Sequence, residues 1–325
     1  MTRTILRCFL LVTGFCCALA ARGGEYPDRP VRLLIPFPPG GASDFGGRVL
    51  AAGLADALGQ QVVVDNRGGA SGVIATELAV KSQPNGYTLF LGNVNSQAIN
   101  PHIFRMTVDP VRDMVAISPV LTVPSVIVGH ASVTGSTLKE FLANALNSGR
   151  DVRFGVANLS TPGRFLMTAF LKSIGVKILE VSYNGAGPAL TALLAGETEI
   201  LGVTVVSAVG PVKSGRLKAL GMATTERVAL MPDVPTMAEL GYPGLVFGQW
   251  NGLFGPAALP RAVVAKLHQA TTSTMKKEQL AQRLGAAGAE AVFASSPEEY
   301  GAYVRGEVAR WGKVIKASGL VTHQN

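Results

Sequence analysis

The sequence predicts an α/β protein of two lobes facing each other across a central cleft. Three observations carry this. Aliphatic, β-branched runs alternate with stretches of helical apolar spacing, the pattern of a parallel sheet with helical crossovers. Three apolar runs end in Gly-rich or polar loops, at 36–44, 66–72 and 92–97, which places those loops on one edge of the sheet. The same succession of strand, polar Gly/Pro turn and helix recurs at 152–173, so the first lobe has a counterpart.

Taken in order, Val31 to Ile35 is a continuous apolar run, as expected of a strand buried on both faces. Pro36 to Gly41 continues neither strand nor helix and forms a turn. Ser43 or Asp44 then offers an N-cap to a helix with apolar spacing at Phe45, Val49, Leu50, Leu54 and Leu58. A turn that feeds a helix N-terminus at the rim of a sheet is a ready anion site, and equally a plain connection. Gln61 to Asp65 is the second strand, Val73 to Lys81 a helix, and Tyr87 to Leu91 the third strand. Val115–Ser118 and Val123–Val128 read as two short strands, the chain leaving the first lobe at the second. A helix at 137–146, a strand at 152–156, a helix ending near Ser173 and strands at 178–181, 199–203 and 217–223 build the second lobe. A helix at 189–194 lies between the first two of those strands, and Pro232–Pro235 is the linker returning to lobe one. Three helices follow, from Pro260, Lys277 and Pro297. The expected division is 21–124 with 230–325 as lobe one and 125–229 as lobe two.

Residues 1–20 stand apart. Arg3 and Arg7 precede an apolar stretch, Phe9 to Leu19, and Ala18-Leu19-Ala20 is a cleavage pattern, so a signal peptide is expected. The stretch is too short for a spanning helix, and an exported, periplasmic mature chain follows. All three cysteines (Cys8, Cys16 and Cys17) lie in that segment. Cleavage after Ala20 therefore leaves neither a thiol nucleophile nor Cys-ligated zinc. The full chain carries +8, or +6 without Arg3 and Arg7. Its basic residues are scattered rather than clustered with aromatics, which argues against nucleic acid as a partner.

Several stretches then resemble one family in order along the mature chain. They include Tyr26-Pro27-Asp28-Arg29-Pro30, Pro36-Phe37-Pro38-Pro39-Gly40-Gly41 with Asp44, and Val63-Val64-Asp65-Asn66-Arg67. Pro84-Asn85-Gly86-Tyr87, Tyr183-Asn184-Gly185-Ala186-Gly187-Pro188 and Trp311-Gly312-Lys313 continue the match. The sequence resembles the Bug family, the extracytoplasmic solute receptors of tripartite tricarboxylate transporters. The resemblance implies a type II-like periplasmic-binding-protein fold with a hinge. It implies a small organic acid as ligand and membrane permease subunits as partners. By position it implies ligand contacts at Phe37, Pro39, Gly40, Gly41, Asn93, Ser96, Ser160, Thr161 and Tyr183, with Asp44 a helix cap. Two departures stand out. Arg164 occupies a position where the family often has His, and it is expected either to pair with a ligand carboxylate or to face solvent. Val203 or Thr204 stands where amino-acid-binding members carry Asp, so a ligand without a free amine is expected.

Other chemistry finds little support. His102, His130, His268 and His323 lack metal-ligand spacing, and neither a metal nor a cofactor is expected. Gly69-Ala70-Ser71-Gly72 is not a G-x-S-x-G elbow, and Pro39-Gly40-Gly41 lacks the Lys of a nucleotide loop. Trp250 reads as core or as cleft wall. A monomeric binding receptor without enzymatic activity is the leading reading. A sensor subunit for a membrane signalling partner and an exported enzyme are the alternatives.

Overall fold

A computed structural model describes residues 26–320. The expected signal peptide and His323 lie outside the described residues. The chain opens with β1 (Val31–Ile35), α1 (Ala42–Leu58), β2 (Val62–Asn66), α2 (Val73–Val80) and β3 (Thr88–Asn93). A π-helical turn at Val94–Ile99 and the short α3 (Asn100–Ile103) lead to β4 (Met114–His130). The second lobe runs α4 (Leu138–Ser148), β5 (Val152–Val156), α5 (Pro162–Ser173), β6 (Ile178–Ser182), α6 (Ala186–Leu194), β7 (Ile200–Thr204), α7 (Val205–Lys213) and β8 (Leu217–Met222). The chain ends with β9 (Gly248–Pro256), α8 (Arg261–Met275), α9 (Glu278–Ala286), the two-residue β10 (Glu290–Ala291) and α10 (Pro297–Ser318).

The strands form one curled sheet in the order β2-β1-β3-β9-β4-β7-β5-β6, with β8 and β10 also paired to β4. β1 pairs in parallel with β2 and β3, Leu33 standing opposite Val64 and Leu89. Both faces are covered, as a parallel sheet requires. Val31, Leu33 and Ile35 enter one core with Leu50, Leu121 and Leu267, while Leu34 enters the other with Phe90, Phe254 and Trp311. The period of two along β1 explains the split. The second lobe repeats the arrangement, with Ile127 beneath Phe141 and Phe154 and its neighbours Val126 and Val128 beneath Leu190 and Leu193.

Three expectations are corrected. The two short strands at 115–118 and 123–128 are one strand, β4. Pro119 and Pro124 suggested breaks, but Pro119 sits where the register against β9 shifts and Pro124 closes that ladder opposite Gly248, positions that do not demand an N–H. β9 was not anticipated, and it carries three glycines, Gly248, Gly252 and Gly255. The glycines are there for room: a Cβ on Gly252 would stand 1.7 Å from the Tyr300 hydroxyl, and one on Gly248 2.8 Å from the Val123 carbonyl. Finally, Pro232–Pro235 does not return the chain to lobe one. Met231 and Val234 pack beneath β8 and α6, and Met237, Leu240 and Phe247 join the core around Phe154. The crossing comes at Phe247–Gly248.

That crossing lies beside a second one. β4 pairs with β9 up to Pro124 and with β7 from Ser125 onward. The lobes are therefore joined where one strand changes partners and where its neighbour begins.

Candidate functional site

β1 in one lobe and β5 and β6 in the other each end in a turn that starts a helix, α1, α5 and α6, and β7 runs directly into α7. The N-caps are Gly41, Thr161, Gly185 and Thr204, and none supplies a side-chain cap hydrogen bond. All four line one inter-lobe cavity of about 60 Å³. The first N–H groups of a helix have no carbonyl partner within it, and the dipole makes that end positive. Among the described residues, no side chain lining this cavity is charged. Its electrostatics come from backbone ends, hydroxyls and amides.

The cleft is closed. Asn95 Nδ2 of the first lobe donates to Asn158 Oδ1 of the second at 3.3 Å, and Ser207 Oγ reaches the Gly40 carbonyl at 3.5 Å. At the cavity wall, Ser43 Oγ donates to Asn251 Oδ1 at 2.7 Å and accepts from Asn93 Nδ2 and Gln249 Nε2. Asn93 and Ser96 cap each other, each backbone N–H donating to the other's side chain at 3.0 Å. This fixes the turn that carries Asn95.

The expected site residues divide. Phe37, Gly41 and Thr161 line the cavity. Pro39 and Gly40 belong to the same loop without lining it. Asn93 and Ser96 are buried braces. Ser160 is fully buried and donates both its N–H and its Oγ–H to Asn158 Oδ1. Tyr183 lies outside the cavity, in a neighbouring groove with Ser71 and Arg105, its hydroxyl 3.4 Å from Glu197. Arg164 does not line the cavity. Its Nε donates to Glu180 at 3.0 Å and its Nη1 to the Leu159 carbonyl at 3.1 Å. A guanidinium held within its own lobe is not available to the cavity. Sequence reasoning missed Ser43, Asn95, Asn158, Phe247 and Gln249. Asn158 stood in an anticipated loop, whereas Phe247 follows a linker whose path local sequence does not reveal.

Asp44 is also placed differently. Gly41 holds the N-cap position, and Asp44 reaches back from the first turn to accept from the Gly40 N–H at 3.1 Å. It also accepts from Arg48 Nε and from Asn66 Nδ2, and Asn66 in turn donates to the Phe37 carbonyl. Burial pushes the carboxyl pKa up, but the hydrogen bonds from Arg48, Gly40 and Asn66 and the Arg48 charge outweigh it, and the net shift is downward. A folded pKa below the unfolded one contributes stability above about pH 4 that is lost as pH falls through the folded value. Asp44→Asn is therefore expected to cost about 1–2 kcal/mol at pH 7 and to flatten the acid limb. Urea melts of both proteins at neutral and acid pH check this; parallel acid limbs would exclude the role.

Comparison with known proteins places the fold. The family model described as the tripartite tricarboxylate transporter family receptor matches residues 47–320. The chain belongs to this receptor family. The receptor is 32% identical to Protein BugT of Bordetella pertussis over 98% of both chains. Among solved structures, an R. palustris protein determined with adipate superposes with a TM-score of 0.88 at 29% identity, covering 92% of this receptor and all of that chain. MatC from Rhodopseudomonas palustris, with bound malate, gives 0.83 at 28% identity over 89% of this receptor and all of MatC. The receptor thus has the two-lobed solute-binding fold of these proteins.

Proposed function

We propose that this receptor captures a small organic carboxylate in the periplasm and delivers it to the membrane permease subunits of a tripartite transporter. One observation carries the reading: four uncapped helix N-termini converge on an inter-lobe cavity that, among the described residues, has no charged side chain. Neutral donors arranged this way favour an anion and give an ammonium no counter-charge. The likeness to proteins solved with adipate and malate supports the same ligand class. The cavity has room for roughly four to six waters at about 10–15 Å³ each, which suits an acid of a few carbons. Binding proceeds without chemical change to the ligand, and the monomer is the working unit. The lobes divide at 124/125 and at 247/248, and closure bends the chain there.

A thermal-shift screen of the mature protein against carboxylates of three to six carbons tests this. A cognate acid at a hundredfold its Kd stabilises by about 2.7 kcal/mol. That is expected to raise Tm by a few degrees. A flat response to every organic acid would overturn the reading.

A further inference from the structure

Asn95 is a cavity-lining residue only 3% exposed, carried on the turn that Asn93 and Ser96 brace. Which of its side-chain atoms faces Asn158 is decided by the neighbours. The Ser160 backbone N–H can only donate, and it donates to Asn158 at 3.0 Å, so the Asn158 atom there is its oxygen. That oxygen can receive only an N–H from Asn95, which assigns Nδ2 to the 3.3 Å inter-lobe bond. Asn95 Oδ1 is left buried with no partner among the described residues. A buried acceptor without a donor is costly, and Ser43 cannot relieve it, its hydroxyl hydrogen being spent on Asn251.

We infer that the ligand supplies the missing donor: it is a carboxylate that also bears a hydroxyl, and Asn95 selects for that hydroxyl. The inference rests on the carboxylate-receptor reading. An ammonium could donate as well, but it would lie in a cavity without a charged side chain. A neutral hydroxyl donates without that penalty, while the carboxylate takes the helix N–H groups. Asn95 thereby couples two events, since the amide that would read the hydroxyl also bonds across the cleft.

The test is calorimetric titration with matched pairs: lactate and propionate, malate and succinate, 2-hydroxyglutarate and glutarate. In at least one pair the hydroxy acid is expected to bind about tenfold tighter or more than its deoxy partner. In Asn95→Leu both members of that pair are expected to weaken, because the inter-lobe bond is lost, and their ratio to fall to about twofold or less. Equal binding of every pair by the wild-type protein would overturn the inference and leave the carboxylate reading standing, as would a ratio preserved in Asn95→Leu. No binding of any acid would overturn both. The wild-type ratio is decisive even if the variant does not fold.

Discussion

Gly41→Asp is expected to weaken ligand binding by about two to three orders of magnitude while leaving the protein folded. Gly41 caps α1 with extended backbone, φ −99° and ψ 176°, which aspartate adopts without strain. A Cβ there would meet nothing closer than the Ala186 Cβ at 3.9 Å, so the side chain fits between the lobes. The new carboxylate would accept from N–H groups of the first turn, a capping interaction worth about 0.3 kcal/mol to the helix relative to glycine. Those are the donors assigned to the ligand. The variant would thus fill the anion site with a tethered anion and repel a second one. Two unit charges about 4 Å apart at an effective dielectric near 20 interact by about 4 kcal/mol. Calorimetry should therefore show affinity reduced by about two to three orders of magnitude, with Tm unchanged or slightly raised. Gly41→Ala, which adds bulk without charge, should bind within a few-fold of wild type. Unimpaired binding by Gly41→Asp would remove the start of α1 from the site.

Glu307→Ala is expected to be the more damaging change to stability. Glu307 lies on α10 and is only 9% exposed. Its Oε2 accepts from the indole N–H of Trp250 at 3.0 Å and of Trp311 at 3.2 Å, and its Oε1 accepts from Arg310 at 3.0 Å. One carboxylate therefore ties α10 to β9, whose start marks a lobe crossing. Truncation leaves two buried indole donors without their acceptor, at a cost of about 2–5 kcal/mol, while the half-exposed Arg310 turns to water. Tm should fall by on the order of 10 °C. Glu307→Gln keeps one acceptor oxygen and should lose clearly less. Trp250 and Trp311 are the protein's two tryptophans, so intrinsic fluorescence during denaturation reads the site directly. A loss below about 1 kcal/mol in the alanine variant would show that these bonds are replaced by water.

What the sequence by itself determined was local and repetitive. The apolar run at 31–35, the turn at 36–41 and the helix after it are dictated by side-chain period and by what Pro and Gly permit. The recurrence of that unit at 152–173 announced two lobes, and the quoted stretches announced the family. Those same turns delivered Phe37, Gly41 and Thr161 to the cavity, because a loop at the C-terminal edge of a parallel strand has few other places to go.

Tertiary structure decided the rest. β9 exists because β3 and β4 pair with it on either side, and its Gly252 and Gly248 are explained only by Tyr300 and Val123, which pack against them from elsewhere in the chain. Arg164 looked like a partner for an anion until Glu180, on β6, proved to hold it. Asn95 and Asn158 are ordinary polar residues in sequence, 63 positions apart, and become a contact only when the lobes close. Period and turn chemistry act over a few residues, so they are written in the order of the chain. Partner choice and side-chain direction depend on which distant surfaces meet, and only the folded molecule brings those surfaces together.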